Sequence, residues 1–169
     1  MGNAHYEYNK NYDSTLIAYK RILAQNPNYE RVFTNIEIIL SKNENVDFKL
    51  KVWEDLYKIN QGRFEVNYGL GQIYGRYKND TKKALPFLEK AAQLKPSNIA
   101  ANKDLGVAYG MLGNFKKSAE ILEKTAALDP NDEQIFYNLG VTYMQLGNKI
   151  KSDEFMKKAE LLKTQKANK

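Results

Sequence analysis

One short stretch of the sequence occurs twice, as Leu-Gly-Val-Ala-Tyr at residues 105–109 and as Leu-Gly-Val-Thr-Tyr at residues 139–143. The two copies lie 34 residues apart, and Leu-Gly-Asn at residues 112–114 returns at residues 146–148 with the same spacing. Matches at a single period of this length are typical of repeat architectures. The sequence therefore predicts an array of similar structural units.

Each unit is predicted to contain two helices. Leu105, Ala108, Tyr109 and Leu112 are spaced three and four residues apart, as the residues of one helix face are. Gly113-Asn114 then ends this helix, because glycine favours the backbone conformation of a helix C-terminus. A second helix follows and ends before a proline, which disfavours helical geometry in the residue that precedes it.

The period continues upstream but weakens. The block at residues 70–74 precedes the block at residues 105–109 by 35 residues. We place the extra residue in the link between the two helices, at residues 76–81. One unit further upstream, Glu37 replaces the repeated glycine, so this unit is degenerate.

The repeated glycines lie inside predicted helices. Gly106 and Gly140 occupy the same position of successive units. A glycine inside a helix costs about 1 kcal/mol relative to alanine. Its recurrence predicts that a neighbouring helix approaches closely at this position.

This pattern resembles the tetratricopeptide repeat, in which a Leu-Gly pair is followed by Tyr, small residues occupy the second helix, and Pro closes the unit. The resemblance covers Tyr12 to about Lys163, although Asn102 stands where the family often has Trp and Thr164 where Pro is usual. It implies an all-α fold, a right-handed superhelical solenoid of antiparallel helix pairs. The predicted organisation is a partial N-terminal repeat at 1–29, a degenerate repeat at 30–63, repeats at 64–98, 99–132 and 133–165, and a basic tail at 166–169.

The resemblance also implies a function. The first helices of such an array line a concave groove, and we expect that groove to bind a peptide or protein segment, so that the protein acts as an interaction scaffold. The residues expected to face it are those of the first helices that the Leu/Gly/Tyr packing does not use. They are Arg31, Thr34, Ile38, Lys42, Tyr68, Gln72, Arg76, Lys103, Val107, Met111, Tyr137, Val141, Met144 and Gln145.

Some relatives hold an acidic C-terminal peptide with a clamp of Lys, Asn and Arg on successive first helices. Lys103 and Asn138 occupy two such positions. Val107 stands where the clamp needs Asn, and no further repeat supplies the last basic pair. The resemblance therefore does not extend to this clamp.

The C-terminal end favours a second interpretation. After Phe155, Met156 and Leu162 the sequence leaves no room for an additional helix that would cover the last apolar face. Self-assembly through the uncapped C-terminal helix, giving a homo-oligomer, is therefore an alternative function.

The charge pattern leaves a third interpretation open. The chain has a formal net charge of +6, and residues 148–169 contribute +4 of it through seven lysines and three acidic residues. Helical repeats can bind single-stranded RNA, and the 12 tyrosines would offer rings for stacking. The body of the chain is nearly neutral, however, so binding of RNA or other single-stranded nucleic acid remains the alternative to a protein partner.

The residues do not predict catalysis. The chain has no Cys, and its one histidine, His5, is expected to be a solvent-exposed bystander that cannot form a metal site or a catalytic triad alone. We therefore expect that the protein is not an enzyme and that it binds neither a metal nor a cofactor. No apolar run predicts a membrane span or a signal peptide, and a cysteine-free chain suits the cytoplasm and the periplasm equally. The start inside a repeat suggests a fragment, and the abundance of Asn, Lys and Tyr fits an AT-rich bacterial genome.

Overall fold

A computed structural model describes the backbone of residues 2–167 and the side chains of residues 14–167. The expectations for the His5 side chain and for residues 168–169 of the basic tail lie outside these described residues. Between residues 2 and 167 every regular element is helical, and short links join neighbours that pack together, which confirms the all-α solenoid. The helices are α1 (Gly2–Gln25), α2 (Glu30–Lys42), α3 (Val46–Ile59), α4 (Phe64–Gln72) with a π-helical turn (Ile73–Tyr77), α5 (Thr81–Leu94), α6 (Ile99–Met111), α7 (Phe115–Leu128), α8 (Glu133–Gln145) and α9 (Lys149–Ala167).

The links inside the two C-terminal repeats follow the predicted rule. Gly113 and Gly147 have φ angles of +79° and +73°, a backbone region that glycine enters without strain. Asn114 and Asn148 come next, and each side chain accepts a hydrogen bond from a backbone N–H in the first turn of the following helix. Each Leu-Gly-Asn sequence thus ends one helix and begins the next.

The extra residue of the 35-residue repeat is absorbed at the end of the first helix and not in the link itself, and the predicted segment 76–81 overlaps this helix end only at residues 76–77. The link keeps the same geometry, since Asn79 has a φ of +52° where the other repeats have glycine. The added residue is absorbed before it, in the π-helical turn Ile73–Tyr77, where the Lys78 N–H donates to the Ile73 carbonyl at 3.0 Å. This turn of the helix therefore contains one residue more than an α-helical turn. Such π-turns are frequent at functional sites.

The close approach predicted at the repeated glycines is confirmed. A Cβ atom on Gly106 would lie 2.7 Å from Cγ of Leu122, and one on Gly140 would lie 2.7 Å from Cγ of Met156. Real Cβ atoms do not come so close to a neighbouring side chain. The first and second helices of these repeats therefore pack in direct contact because the glycine side chain is missing.

The degenerate repeat packs differently. Glu37 stands at the glycine position, and α2 and α3 approach each other at few positions. Trp53 of α3 has the repeat position of Leu122, yet its indole lies on Gly69 of the next repeat, where a Cβ would be 2.4 Å away. The second helix of this repeat is thus held mainly by α4 and less by its own first helix.

The core follows the array as three successive groups of buried side chains. The first joins α1 to α4, the second α5 to α6, and the third α7 to α9. Leu23, Ile36, Leu122, Ile135 and Leu139 are completely buried within them. No helix of the described chain combines the length and apolarity that crossing a bilayer requires.

Candidate functional site

The first helices border a row of clefts, which we call the groove. None of the 14 predicted groove side chains is buried. The half-buried members of the set are Tyr68, Gln72, Lys103, Val107 and Val141, and the others are exposed.

The largest cleft of the groove lies between α6 and α8, with α7 behind it. Its volume is about 410 Å³. Four predicted residues line it: Val107 and Met111 from α6, and Val141 and Gln145 from α8. The lining consists of Val107, Gly110, Met111, Phe115, Ser118, Leu122, Asn138, Val141, Thr142 and Gln145, none of which carries a charge.

The polar atoms behind this cleft are already paired. The hydroxyls of Ser118 and Thr142 lie 3.1 Å apart, and the Thr142 hydroxyl donates to the Asn138 carbonyl at 2.7 Å. The back of the cleft therefore offers mainly apolar contact. The side-chain amides of Asn138 and Gln145 have no hydrogen bond within the described chain and remain available to a ligand.

A smaller cleft of about 100 Å³ lies between α4 and α6. It shares Val107 and Met111 with the larger cleft, so the two form one continuous surface. Gln72 and Arg76 are the predicted residues on its other side. Gly71, Gly75 and small side chains of α5 and α6 also line it.

A third cleft, of about 240 Å³, lies between α2 and α4. Tyr68 and Gln72 line its α4 side, as expected. On α2 the lining residues are Glu37, Leu40 and Ser41. The predicted α2 residues do not line it, and their role in binding stays a prediction: Arg31, Thr34, Ile38 and Lys42.

Two predicted residues of α8 lie away from these clefts. Tyr137 is 54% exposed and lines a separate cavity of about 550 Å³ at the C-terminal end of the array, together with Met156 and Ala159 of α9. Met144 is 56% exposed and lines neither this cavity nor any of the three clefts of the groove.

One predicted groove cation forms an ion pair inside the groove. Arg76 Nη2 donates to Asp104 Oδ1 at 2.5 Å, and the Tyr68 hydroxyl donates to Oδ2 of the same carboxylate at 3.1 Å. Burial and the Asp104 charge raise the pKa of the Tyr68 hydroxyl, which therefore stays protonated. The hydrogen bond to Asp104 also raises the pKa of the Arg76 guanidinium.

A second predicted groove cation is paired with the residue that caps the next first helix, α8. Lys103 Nζ lies 2.6 Å from Asp132 Oδ2, and both side chains are mostly buried. Burial alone would raise the pKa of Asp132, but hydrogen bonds from Lys103 and from the Gln134 backbone N–H outweigh it and lower that pKa. Asp132 also begins α8 by accepting from this N–H at 2.8 Å, so it joins two repeats and caps a helix.

Sequence reasoning missed a ladder of side chains that links successive second helices. The Tyr143 hydroxyl donates to Glu123 Oε1 at 2.6 Å, and Lys151 Nζ donates to the Tyr143 oxygen at 2.9 Å. The preceding repeat has the same set at the same spacing, in Tyr109, Glu89 and Lys117. The signal was present, because a Glu 20 residues before and a Lys 8 residues after the repeated Tyr occur in both units.

The described side chains form no group of three or more His, Cys, Asp and Glu residues that could hold a metal ion. The expectation that the chain is neither an enzyme nor a cofactor protein stays a prediction. The carboxylates of Asp104 and Asp132 form ion pairs with Arg76 and Lys103, and these contacts give both carboxylates a structural role.

The chain is similar to known repeat proteins. Tetratricopeptide repeat models match residues 76–136 and 133–165, which together exceed half of the 169 residues. A crystal structure of MamA superimposes with a TM-score of 0.73 at 21% identity, over 91% of this chain and 90% of that chain. The structure of MamA 41-end from Desulfovibrio magneticus RS-1 gives 0.71 at 23% identity, over 89% and 84%. No curated protein sequence matches the chain.

These likenesses to solved structures concern the fold alone. The two family matches support a scaffold for protein–protein interaction. The chain belongs to the tetratricopeptide repeat family.

Proposed function

We propose that this protein binds a segment of a partner protein in the groove between α4, α6 and α8. The observation that carries the proposal is the uncharged cleft of about 410 Å³ between α6 and α8. Apolar surface in a concave site is what a protein ligand covers with its own apolar side chains, with a stabilisation of about 25 cal/mol per Å².

The arrangement of charges favours a protein segment over nucleic acid. Arg76 and Lys103, which would have contacted phosphates, are paired with Asp104 and Asp132. Arg31 and Lys42 are exposed on α2, away from the large cleft. RNA binding therefore stays the alternative, and a steep fall in affinity for a single-stranded RNA with added salt would support it.

Two methionines allow a matched test of the groove. Met111 is 60% exposed and lines both the large and the small cleft, whereas Met144 is 56% exposed and lines neither. A random peptide library selected on the wild-type chain should yield peptides that lose at least about tenfold in affinity on Met111→Glu, because a charge would be buried against apolar surface. Met144→Glu should leave their affinity unchanged. Selected peptides that bind both variants as tightly as the wild type would refute the groove.

The cavity at the C-terminal end supports a second candidate function, assembly with another copy of the chain. Met156 has the repeat position of Leu122, but it is half-buried where Leu122 is completely buried by the following repeat. Sedimentation equilibrium should then detect a dimer of the wild type at high concentration and only monomer for Tyr137→Lys. A wild-type chain that stays monomeric at every concentration would eliminate this candidate.

A further inference from the structure

The two adjoining clefts of the groove differ about fourfold in volume, about 410 Å³ against 100 Å³. They share a wall formed by Val107 and Met111. A ligand that follows the groove therefore meets a large site and a small site in succession, and the two sites need not accept the same side chain.

The larger cleft fits a large apolar side chain. Phe115, Leu122 and Val141 supply apolar walls, and no charged residue lines it. The hydroxyls behind it, those of Ser118 and Thr142, satisfy each other. A charged group placed there would lose its hydration and would meet no opposite charge, only the neutral amides of Asn138 and Gln145, and burial of such a group is unfavourable.

The smaller cleft fits a small apolar side chain. Gly71 and Ala84 line it, and Leu88 already fills the space behind Gly71, where an added Cβ would lie 2.6 Å from that leucine. The Asp104 and Arg76 charges at its edge neutralise each other. Neither charge is left to attract an ionic ligand group.

The distance between the clefts sets the spacing of the two side chains. The two clefts lie on opposite sides of α6, and a helix with its side chains is about 10–12 Å wide. An extended chain advances about 3.3 Å per residue, so about three residues separate the two sites. The free amides of Asn138 and Gln145 beside the larger cleft can pair with the main chain of such an extended segment.

We infer that the partner segment is extended and carries one large and one small apolar residue about three positions apart, the large one in the α6–α8 cleft and the small one in the α4–α6 cleft. This inference rests on the proposed function and specifies its ligand. It predicts that size and spacing, and not charge, select the partner.

Fluorescein-labelled peptides on a Gly-Ser host test the inference. The large–small probe is made in two orders, one peptide with Trp-Ser-Ser-Ala and one with Ala-Ser-Ser-Trp, because the segment could run along the groove in either direction. In its better order it should bind about tenfold tighter than Trp-Ser-Ser-Trp and than Trp-Ala-Ser-Ser. If both orders bind no better than these controls, the inference is wrong.

Two substitutions change the clefts separately. Val141→Phe fills only the larger cleft and should weaken the large–small probe about tenfold. Gln72→Ala enlarges the smaller cleft and should bring Trp-Ser-Ser-Trp to within about threefold of the large–small probe. Unchanged affinities in both variants, with intact circular dichroism, would overturn the assignment of the side chains to the clefts.

The failure of the inference can be told from the failure of the proposed function. Library-selected peptides that are sensitive to Met111→Glu but rich in charged residues would preserve the groove and refute the apolar pair. Selected peptides that are insensitive to Met111→Glu would refute the groove itself.

Discussion

The degenerate repeat at residues 30–63 and the regular repeats at residues 99–165 solve the same packing problem in two ways. In the regular repeats a glycine brings the two helices of one unit into contact, as Gly106 does for Leu122. In the degenerate repeat Glu37 replaces that glycine, and Trp53 is seated on Gly69 of the next unit. The difference teaches that a unit which cannot close on itself can still be held by its neighbour, because stability in such arrays arises from neighbour contacts as well as from each repeat.

The largest effect is expected at the contact that ties the degenerate repeat to the array. Trp53 is 6% exposed, and Trp53→Ala should cost about 4 kcal/mol of unfolding free energy, measured by urea titration, because it leaves a cavity against α4. Tyr29→Ala, at a ring that is 44% exposed, should cost less than about 0.5 kcal/mol.

Hydrogen exchange would show where this loss is felt. If α3 is held mainly by α4, Trp53→Ala should speed exchange in α2 and α3 and leave α6 to α9 protected. Equal acceleration along the whole array would contradict the idea that the degenerate repeat depends on this one contact.

The next effect concerns the glycine position itself. Gly106→Val should cost about 3 kcal/mol, because its side chain would overlap Leu122 in a packed interface. Glu37→Val places the same side chain at the equivalent, exposed position of the degenerate repeat and should cost less than about 1 kcal/mol. Similar losses in the two variants would mean that the helix spacing does not depend on the glycine.

The tyrosine ladder provides a smaller contrast. Tyr143→Phe removes the hydrogen bonds to Glu123 and Lys151 and should cost about 1 kcal/mol in thermal or urea unfolding. Tyr57 of the degenerate repeat packs edge-on against Phe87 and has no hydrogen bond to the side chains that the structure describes, so Tyr57→Phe should leave stability unchanged. A loss at Tyr57 as large as that at Tyr143 would show that the ladder adds nothing specific.

The sequence was sufficient for the fold where the period was intact. The spacing of Leu, Gly and Tyr predicted helix pairs, and the mid-helix glycines predicted which helices touch. The site of Trp53 could not be predicted, because its contact depends on how far α2 and α3 separate once Glu37 occupies the glycine position. The π-helical turn at Ile73–Tyr77 was missed since a one-residue insertion fits a link as well as a helix end.

The groove was predicted in outline only. Val107 and Met111 meet Val141 and Gln145 in one cleft because the two pairs occupy the same two repeat positions on adjacent first helices. The volumes of the clefts and the pairing of Lys103 with Asp132 depend on which side chains the following elements contribute. The repeat period alone does not predict the identity of those side chains. Which α2 residues take part in binding stays a prediction.

A further effect of about this size tests how the regular repeats are joined. Asp132→Asn keeps an oxygen for the α8 cap but loses the charge that pairs with Lys103, so it should cost about 1 kcal/mol at pH 7. The pKa of Asp132 is lower in the folded chain than the usual value of about 3.9. Its stabilisation is therefore complete above that usual value and is lost as the pH falls through the folded pKa.

Urea midpoints at pH 7 and near pH 2.5 would measure this dependence. The difference between wild type and Asp132→Asn should be present at the higher pH and shrink at the lower one. Asp153→Asn, at an exposed residue of α9, should show no difference at either pH. If the Asp132→Asn loss persisted in acid, the link between repeats would rest on the cap alone and not on the ion pair with Lys103.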